Sequence, residues 1–172
     1  MRESTPRAVY LKDYTPPEFL IDTVDLFFEL DEADTRVKSR LKVRRNPASA
    51  GTAEGLELNG EELQLESIKL NGRALQDPQY RLTAESLILA AVPDRPFELE
   101  IVTRINPRAN TALEGLYLSN GMFCTQCEAQ GFRKITYFPD RPDVMAVFTT
   151  TLVADRERYP VLLSNGNRIA TG

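Results

Sequence analysis

Leu20–Arg44, LIDTVDLFFELDEADTRVKSRLKVR, carries one pattern twice, with the charge reversed the second time. In the first half Leu20, Val24, Leu26, Phe28 and Leu30 fall on one face of an extended chain, with Thr23, Asp25 and Glu29 on the other. In the second half Val37, Leu41 and Val43 face one way, while Arg36, Lys38, Arg40, Lys42 and Arg44 face the other. Successive side chains of a strand point to opposite faces, so each half is a strand with one buried side. The polar Asp31-Glu32-Ala33-Asp34 between them has the length of a hairpin connection. Acidic and basic outer faces brought side by side predict cross-strand ion pairs, each worth at most about 1 kcal/mol. The basic stripe also invites a nucleic-acid reading, but it lacks the interleaved aromatics on which bases stack.

Working outward, turn chemistry recurs. Asn-Gly stands at 59–60, 71–72, 120–121 and 165–166, and both residues tolerate the positive φ of a tight hairpin turn. Ser67–Leu70 enters one such turn and Arg73–Leu75 leaves it; Tyr80–Thr83 and Ser86–Leu89 form another hairpin. Phe97–Ile105 alternates again, and Phe148–Ala154 is rich in β-branched residues. Strands at this spacing predict an all-β fold, an antiparallel sandwich or barrel-like sheet. The one expected helical turn lies at Pro142-Asp143-Val144-Met145-Ala146, with Pro at its first position. No repeat, low-complexity tract or linker divides residues 1–172, which read as one domain. Near the end, Tyr159–Asn167 begins a hairpin for which only Arg168–Gly172 remain as a return strand. The expectation is therefore a chain that stops inside a larger protein.

Composition narrows the function classes. A chain of 172 residues with 42% hydrophobic and 27% charged residues is that of a soluble globular protein. A net charge of −4 gives no general affinity for phosphate backbones, so no nucleic-acid partner is expected. No apolar run has the length of a membrane span and no signal-peptide apolar core opens the chain, so the expected setting is the cytoplasm, without a membrane partner. There is no histidine at all, and imidazole is the base of Ser-His-Asp and Cys-His catalysis and the commonest zinc ligand. Neither catalysis nor a bound metal or other cofactor is expected of this chain.

The chemistry that remains is concentrated in Gly115–Asp143, GLYLSNGMFCTQCEAQGFRKITYFPDRPD. An extended run Cys124-Thr125-Gln126-Cys127-Glu128 would put Gln126 and Glu128 on one face and Cys127 on the other. An amide beside a carboxylate can receive a cationic donor such as an amine; on spacing alone, Glu128 is equally a plain surface carboxylate. Cys124 and Cys127 invite structural, redox and metal readings, but a redox pair belongs at a strand-to-helix junction and a structural zinc needs four ligands. Asp140 and Asp143 are expected to pair with Arg133 or Arg141 rather than to form a hydrolytic dyad. Phe123, Phe132, Tyr137 and Phe138 are expected in the core.

Several of these segments resemble one family in order and spacing. Asn110–Tyr117 (NTALEGLY), Phe123–Ala129 (FCTQCEA), Gly131-Phe132-Arg133, Asp140–Val144 (DRPDV) and Leu162–Asn167 (LLSNGN) closely resemble the N-terminal domain of the M1 zinc aminopeptidases of bacteria, the aminopeptidase N type. The resemblance implies a saddle-like, twisted β domain that precedes a thermolysin-like catalytic domain, which carries the zinc in the parent protein. It implies that Gln126 and Glu128 bind substrate, with Glu128 helping to hold the free α-amine of a peptide. The partners implied are a peptide N-terminus and the parent's catalytic domain. Two other readings stay open on the residues: a free-standing β-sandwich that binds a partner, and a thiol-redox role for Cys124 and Cys127.

Overall fold

The β1–β2 hairpin is the centre of the structure, a computed structural model that describes residues 10–49, 51 and 54–172. Strands β1 (Phe19–Glu29) and β2 (Thr35–Arg45) pair antiparallel. Their connection is closed by Asp31, whose Oδ1 accepts from the backbone N–H of Ala33 (2.8 Å) and Asp34 (3.0 Å). An aspartate that satisfies backbone donors two and three residues on is a turn residue for that reason. Around this hairpin a six-stranded sheet forms in the order β11-β1-β2-β8-β4-β5, adding β4 (Gln64–Leu70), β5 (Arg73–Ala74), β8 (Phe97–Ile105) and β11 (Val147–Val153). A three-stranded sheet, β3-β7-β6, is built from β3 (Leu56–Asn59), β6 (Tyr80–Leu82) and β7 (Ser86–Leu89), and β9 (Gly115–Ser119) with β10 (Met122–Gln126) makes a separate two-stranded ribbon.

The inner faces meet in one buried cluster. Val24, Leu26, Val37, Leu41, Leu99 and Ile101 of the large sheet share it with Leu56, Leu58, Leu87 and Leu89 of the small one. Each such side chain contributes about 1.5–3 kcal/mol on leaving water. The outer face of the large sheet is laced with ion pairs: Arg36 with Glu29 and Glu66, Arg44 with Asp22, and Lys38 and Lys69 with Glu100. The charge reversal between β1 and β2 is thus used in part across that pair and in part on β4 and β8.

Two bulges refine the alternation. Ile21 pairs with Val43 and Thr23 with Lys42, which leaves Asp22 as an extra residue. The phase of β1 flips there, so Phe19 and Ile21 are buried where Leu20 was expected, and Leu20 is only half-buried. In β4 the extra residue is Glu66, between Leu65 and Ser67. Both bulged residues are acids and both accept an arginine, Arg44 at 2.8 Å and Arg36 at 2.8 Å. A bulge that re-aims a side chain accounts for each.

Residues 131–140 cross between the two larger sheets and carry the ribbon's base. Asn59 and Phe138 exchange backbone hydrogen bonds at 2.9 and 3.1 Å. Below them, the Ser39 and Thr136 hydroxyls are 2.9 Å apart in the core, and Thr103 donates to the carbonyl of Ile135 at 3.1 Å. Phe132, Phe138 and Phe148 pack edge-on or tilted, with centroids 5.1–6.2 Å apart, and join this segment to β11.

Several expectations need correction. The chain between Pro142 and Ala146 is a turn closed by Val144 N–H on Arg141 O, not a helical turn; the 3-10 turns lie at Leu11–Asp13 and Phe132–Lys134. Strand β11 runs parallel to β1, so the large sheet is not wholly antiparallel. Asn59-Gly60 is not a hairpin turn: Gly60 is needed for clearance, since a Cβ there would stand 2.2 Å from the Tyr137 ring. No strand forms after Val153 among the described residues, so the hairpin expected from Tyr159 is absent. Val161, Leu163 and Ile169 are exposed there, and a two-stranded hairpin without a face to bury is marginal in water. Asn71-Gly72 and Asn120-Gly121 are tight turns, with φ of 49° and 78° in the first and 49° and 79° in the second.

Candidate functional site

The ribbon places Gln126 at the last position of β10, opposite Gly115 at the first position of β9. Two glycines allow the chain to fold back on itself there. A Cβ on Gly131 would stand 2.3 Å from the Gln126 carbonyl oxygen, and one on Gly115, at φ 71°, would stand 2.8 Å from the Lys134 Cβ. Gly131 N–H donates to Cys127 O at 2.9 Å. The extended run therefore stops at Gln126 and does not continue to Glu128; residues 128–131 are a turn, with a cis peptide between Glu128 and Ala129. The reason is the close glycine contact, which spacing along one strand cannot reveal.

Gln126 and Glu128 are still held together. The Gln126 side-chain Nε2 donates to the backbone carbonyl of Glu128 at 3.0 Å, across the turn. Both residues are exposed. Among the described residues, no cation pairs with the Glu128 carboxylate. Because Nε2 is committed to that carbonyl, the amide oxygen of Gln126 remains as an acceptor. The two side chains thus offer acceptor oxygens with no competing cation among the described residues, an arrangement able to receive an ammonium group.

The surroundings are acid-rich. Lys134, on the 3-10 turn, has Nζ 3.3 Å from Glu62, 3.7 Å from Glu114 and 3.9 Å from Glu61. It neutralises the base of the ribbon and ties three segments together. Nothing in the sequence pattern singles out Lys134. Arg133 bonds Asp140 and Arg141 bonds Asp143, as expected of that pair of carboxylates, and Asp140 N–H in turn donates to Asn59 Oδ1 at 3.1 Å. Asp143 is held below the ordinary carboxylate range by its hydrogen bond from Arg141 and a further one from Tyr14.

Cys124 and Cys127 are free thiols, both half-buried. Cys127 packs against the core, and burial, with the nearby Asp140 charge, pushes its thiol above its usual value. A raised thiol pKa lowers the thiolate fraction, the form that reacts and binds metals. Phe123 packs at the edge of the core, apart from the other aromatics, and lies tilted against Tyr159, with centroids 4.9 Å apart. Among the described residues, no group of three or more His, Cys, Asp or Glu side chains is placed to hold a metal ion. No described helix is long and apolar enough to cross a membrane.

Residues 22–172 match the family described as the Peptidase M1 N-terminal domain. The chain belongs to that family. The M1 N-terminal domain described here is 51% identical, over its whole length, to an aminopeptidase N of Caulobacter vibrioides, of which it spans 19%. Against aminopeptidase N of Escherichia coli the identity is 47% over 97% of the chain and 18% of that protein. It superimposes on a Legionella pneumophila aminopeptidase A, crystallised in complex with aspartic acid, with a TM-score of 0.88 at 36% identity, over 93% of the chain and 19% of that structure. The M1 N-terminal domain thus spans about a fifth of the length of these relatives.

Proposed function

We propose that this M1 N-terminal domain is the non-catalytic part of a zinc-dependent aminopeptidase that removes N-terminal residues from peptides, and that it supplies the anchor for the substrate's α-amine. The observation that carries the reading is the pair at the end of β10: an exposed Glu128 carboxylate, without a partner cation among the described residues, beside a Gln126 whose amide is fixed by its bond to the Glu128 carbonyl. Glu128 accepts one or two N–H bonds from a peptide's ammonium, and the Gln126 oxygen accepts another. Holding the amine fixes one end of the substrate, and positioning of this kind lowers the barrier of the step that follows.

The residues of this chain do not fit a zinc site: it has no histidine, and among the described residues no three Cys, Asp or Glu side chains are placed to hold a metal ion. In this reading zinc belongs to the parent protein outside this chain, where a bound zinc polarises a carbonyl and activates water. The exposed Met145, Val147, Phe148, Leu163 and Ile169 are apolar surface of the kind that a neighbouring domain covers, and they support packing on the parent's catalytic domain.

Glu128→Ala in the full-length protein tests the reading. A charge-assisted hydrogen bond is worth about 1.5–3 kcal/mol, so kcat/KM falls about 10- to 100-fold, with KM raised and zinc content unchanged. Unaltered peptidase kinetics in that variant remove the anchor.

A further inference from the structure

The ribbon that carries the proposed anchor has almost no core of its own. Of its ten strand residues only Gly115 and Leu116 are buried, and an isolated two-stranded ribbon is marginal in water. Leu116 and Phe123 lean on the main core and Lys134 ties the base; the middle of the ribbon is braced through Glu32, at the tip of the β1–β2 hairpin and only 14% exposed at its side chain.

Two ties leave that one residue. In the first, the Glu32 carbonyl accepts from Arg108 N–H at 2.7 Å and its carboxylate pairs with the Arg108 guanidinium; the adjacent Pro107 carbonyl accepts from Leu118 N–H of β9 at 3.3 Å. In the second, the Glu32 carboxylate accepts from the Tyr159 hydroxyl at 2.7 Å and pairs with Arg158. The Tyr159 ring then packs, tilted, against Phe123 of β10. Leu118 and Phe123 are themselves cross-strand partners in the ribbon. Both ties therefore arrive at the same rung, one on each strand, three residues from Gln126. Arg158 also lies over the Tyr159 ring at 5.4 Å, and Asp155 caps the turn that presents both residues, accepting from Glu157 N–H at 2.8 Å.

We propose that Glu32 is a positioning residue for the amine anchor: by gripping Arg108 and Tyr159 it clamps both strands of the β9–β10 ribbon at the Leu118–Phe123 rung and so sets where Gln126 and Glu128 meet the substrate. The inference rests on the anchor reading of Gln126 and Glu128. Tyr159 acts through Phe123 on β10, and Arg108 acts through Pro107 on β9. The grip needs a carboxylate, since one oxygen serves Tyr159 and Arg158 while the other serves Arg108.

The test compares Glu32→Ala, Glu32→Gln, Tyr159→Phe and Glu128→Ala in the full-length protein, by peptidase kinetics and by backbone amide exchange. Glu32→Ala raises KM about 3- to 10-fold with kcat nearly unchanged. It also speeds exchange in residues 115–126 about tenfold, while β2 and β8 keep their protection. Tyr159→Phe reproduces the loosening in β10 more than in β9. Glu32→Gln keeps an acceptor for Tyr159 and recovers part of the β10 protection, but not that of β9. The proposal is overturned if Glu32→Ala leaves KM unchanged, or if exchange rises equally in every strand, which is the mark of general destabilisation. An effect of Glu128→Ala with none of Glu32→Ala removes the positioning role alone, whereas an inert Glu128→Ala strikes the anchor reading beneath it.

Discussion

The β1–β2 and β9–β10 hairpins are both antiparallel pairs closed by short polar turns, yet they hold their shape by different means. Each strand of β1–β2 spans eleven residues and buries a full apolar face, with Val24, Val37 and Leu41 wholly shielded. Each strand of β9–β10 spans five: β9 buries only Gly115 and Leu116 and leaves the rest half-buried, and β10 exposes three of its five residues. The long hairpin supplies about a third of the buried core, while the short one adds Leu116 and Phe123 and otherwise borrows rigidity through single side chains: Lys134 at its base, Glu32 and Tyr159 at its middle, and the bare backbone contact at Gly131. Such a division lets a short ribbon project from the core without coming loose from it.

The contrast can be broken most forcefully in the long hairpin. Leu41→Ala empties a fully buried position, and the unfolding free energy should drop by about 2–5 kcal/mol in a denaturant melt. A loss well under that would mean that the β1–β2 face is not the main contributor assumed here. Gly131→Ala is the corresponding change in the ribbon. Its Cβ meets the Gln126 carbonyl, a backbone atom that cannot swing away, so a cost of about 1–3 kcal/mol is expected, together with a raised KM in the full-length protein. Normal KM and normal stability together would show that the turn has room to spare.

Acid should act on both regions. Glu100 is held below the ordinary carboxylate range by its hydrogen bond from Lys38 and a second from Lys69, and Glu66 by those from Arg36 and Arg104. Glu32 is depressed by Tyr159 and then Arg108. A carboxylate with a depressed pKa contributes stability that is fully present above its unfolded value and is lost as pH falls through its folded one. Melting temperature should thus be flat near neutrality and decline below about pH 4, by roughly 3–5 °C at first. A melting temperature that rises on acidification would contradict the sign. The smallest effect is expected on the outer face, where Arg36→Ala should cost less than about 1 kcal/mol and less still in high salt.

How much could be read in advance follows the same division. The alternation of Leu20–Arg44 and Phe97–Ile105 located three long strands and the charged outer face, because a period of two is written in the residues themselves. Leu20 was misplaced because a bulge at Asp22 shifts the phase, and nothing in the local pattern marks the extra residue. Asn59-Gly60 looks like the two genuine turns, but its glycine answers to a tyrosine ring far along the chain. Gln126 and Glu128 could be named as a pair from their neighbours. That they meet across a turn, rather than along a strand, depends on Gly131. Glu32 and Tyr159 stand 127 residues apart, and no spacing rule connects them. Contacts of that range exist only once the chain has folded.

One consequence reaches beyond the finished molecule. The parallel partner of β1 is β11, about 120 residues later in the chain. While the polypeptide is being synthesised, the outer edge of β1 must wait with its hydrogen-bonding groups open until Val147–Val153 emerges. Closing so long a loop is slow, and an open strand edge is a template for pairing with the wrong chain. The growing protein should therefore be most vulnerable to association with its siblings just before β11 leaves the ribosome.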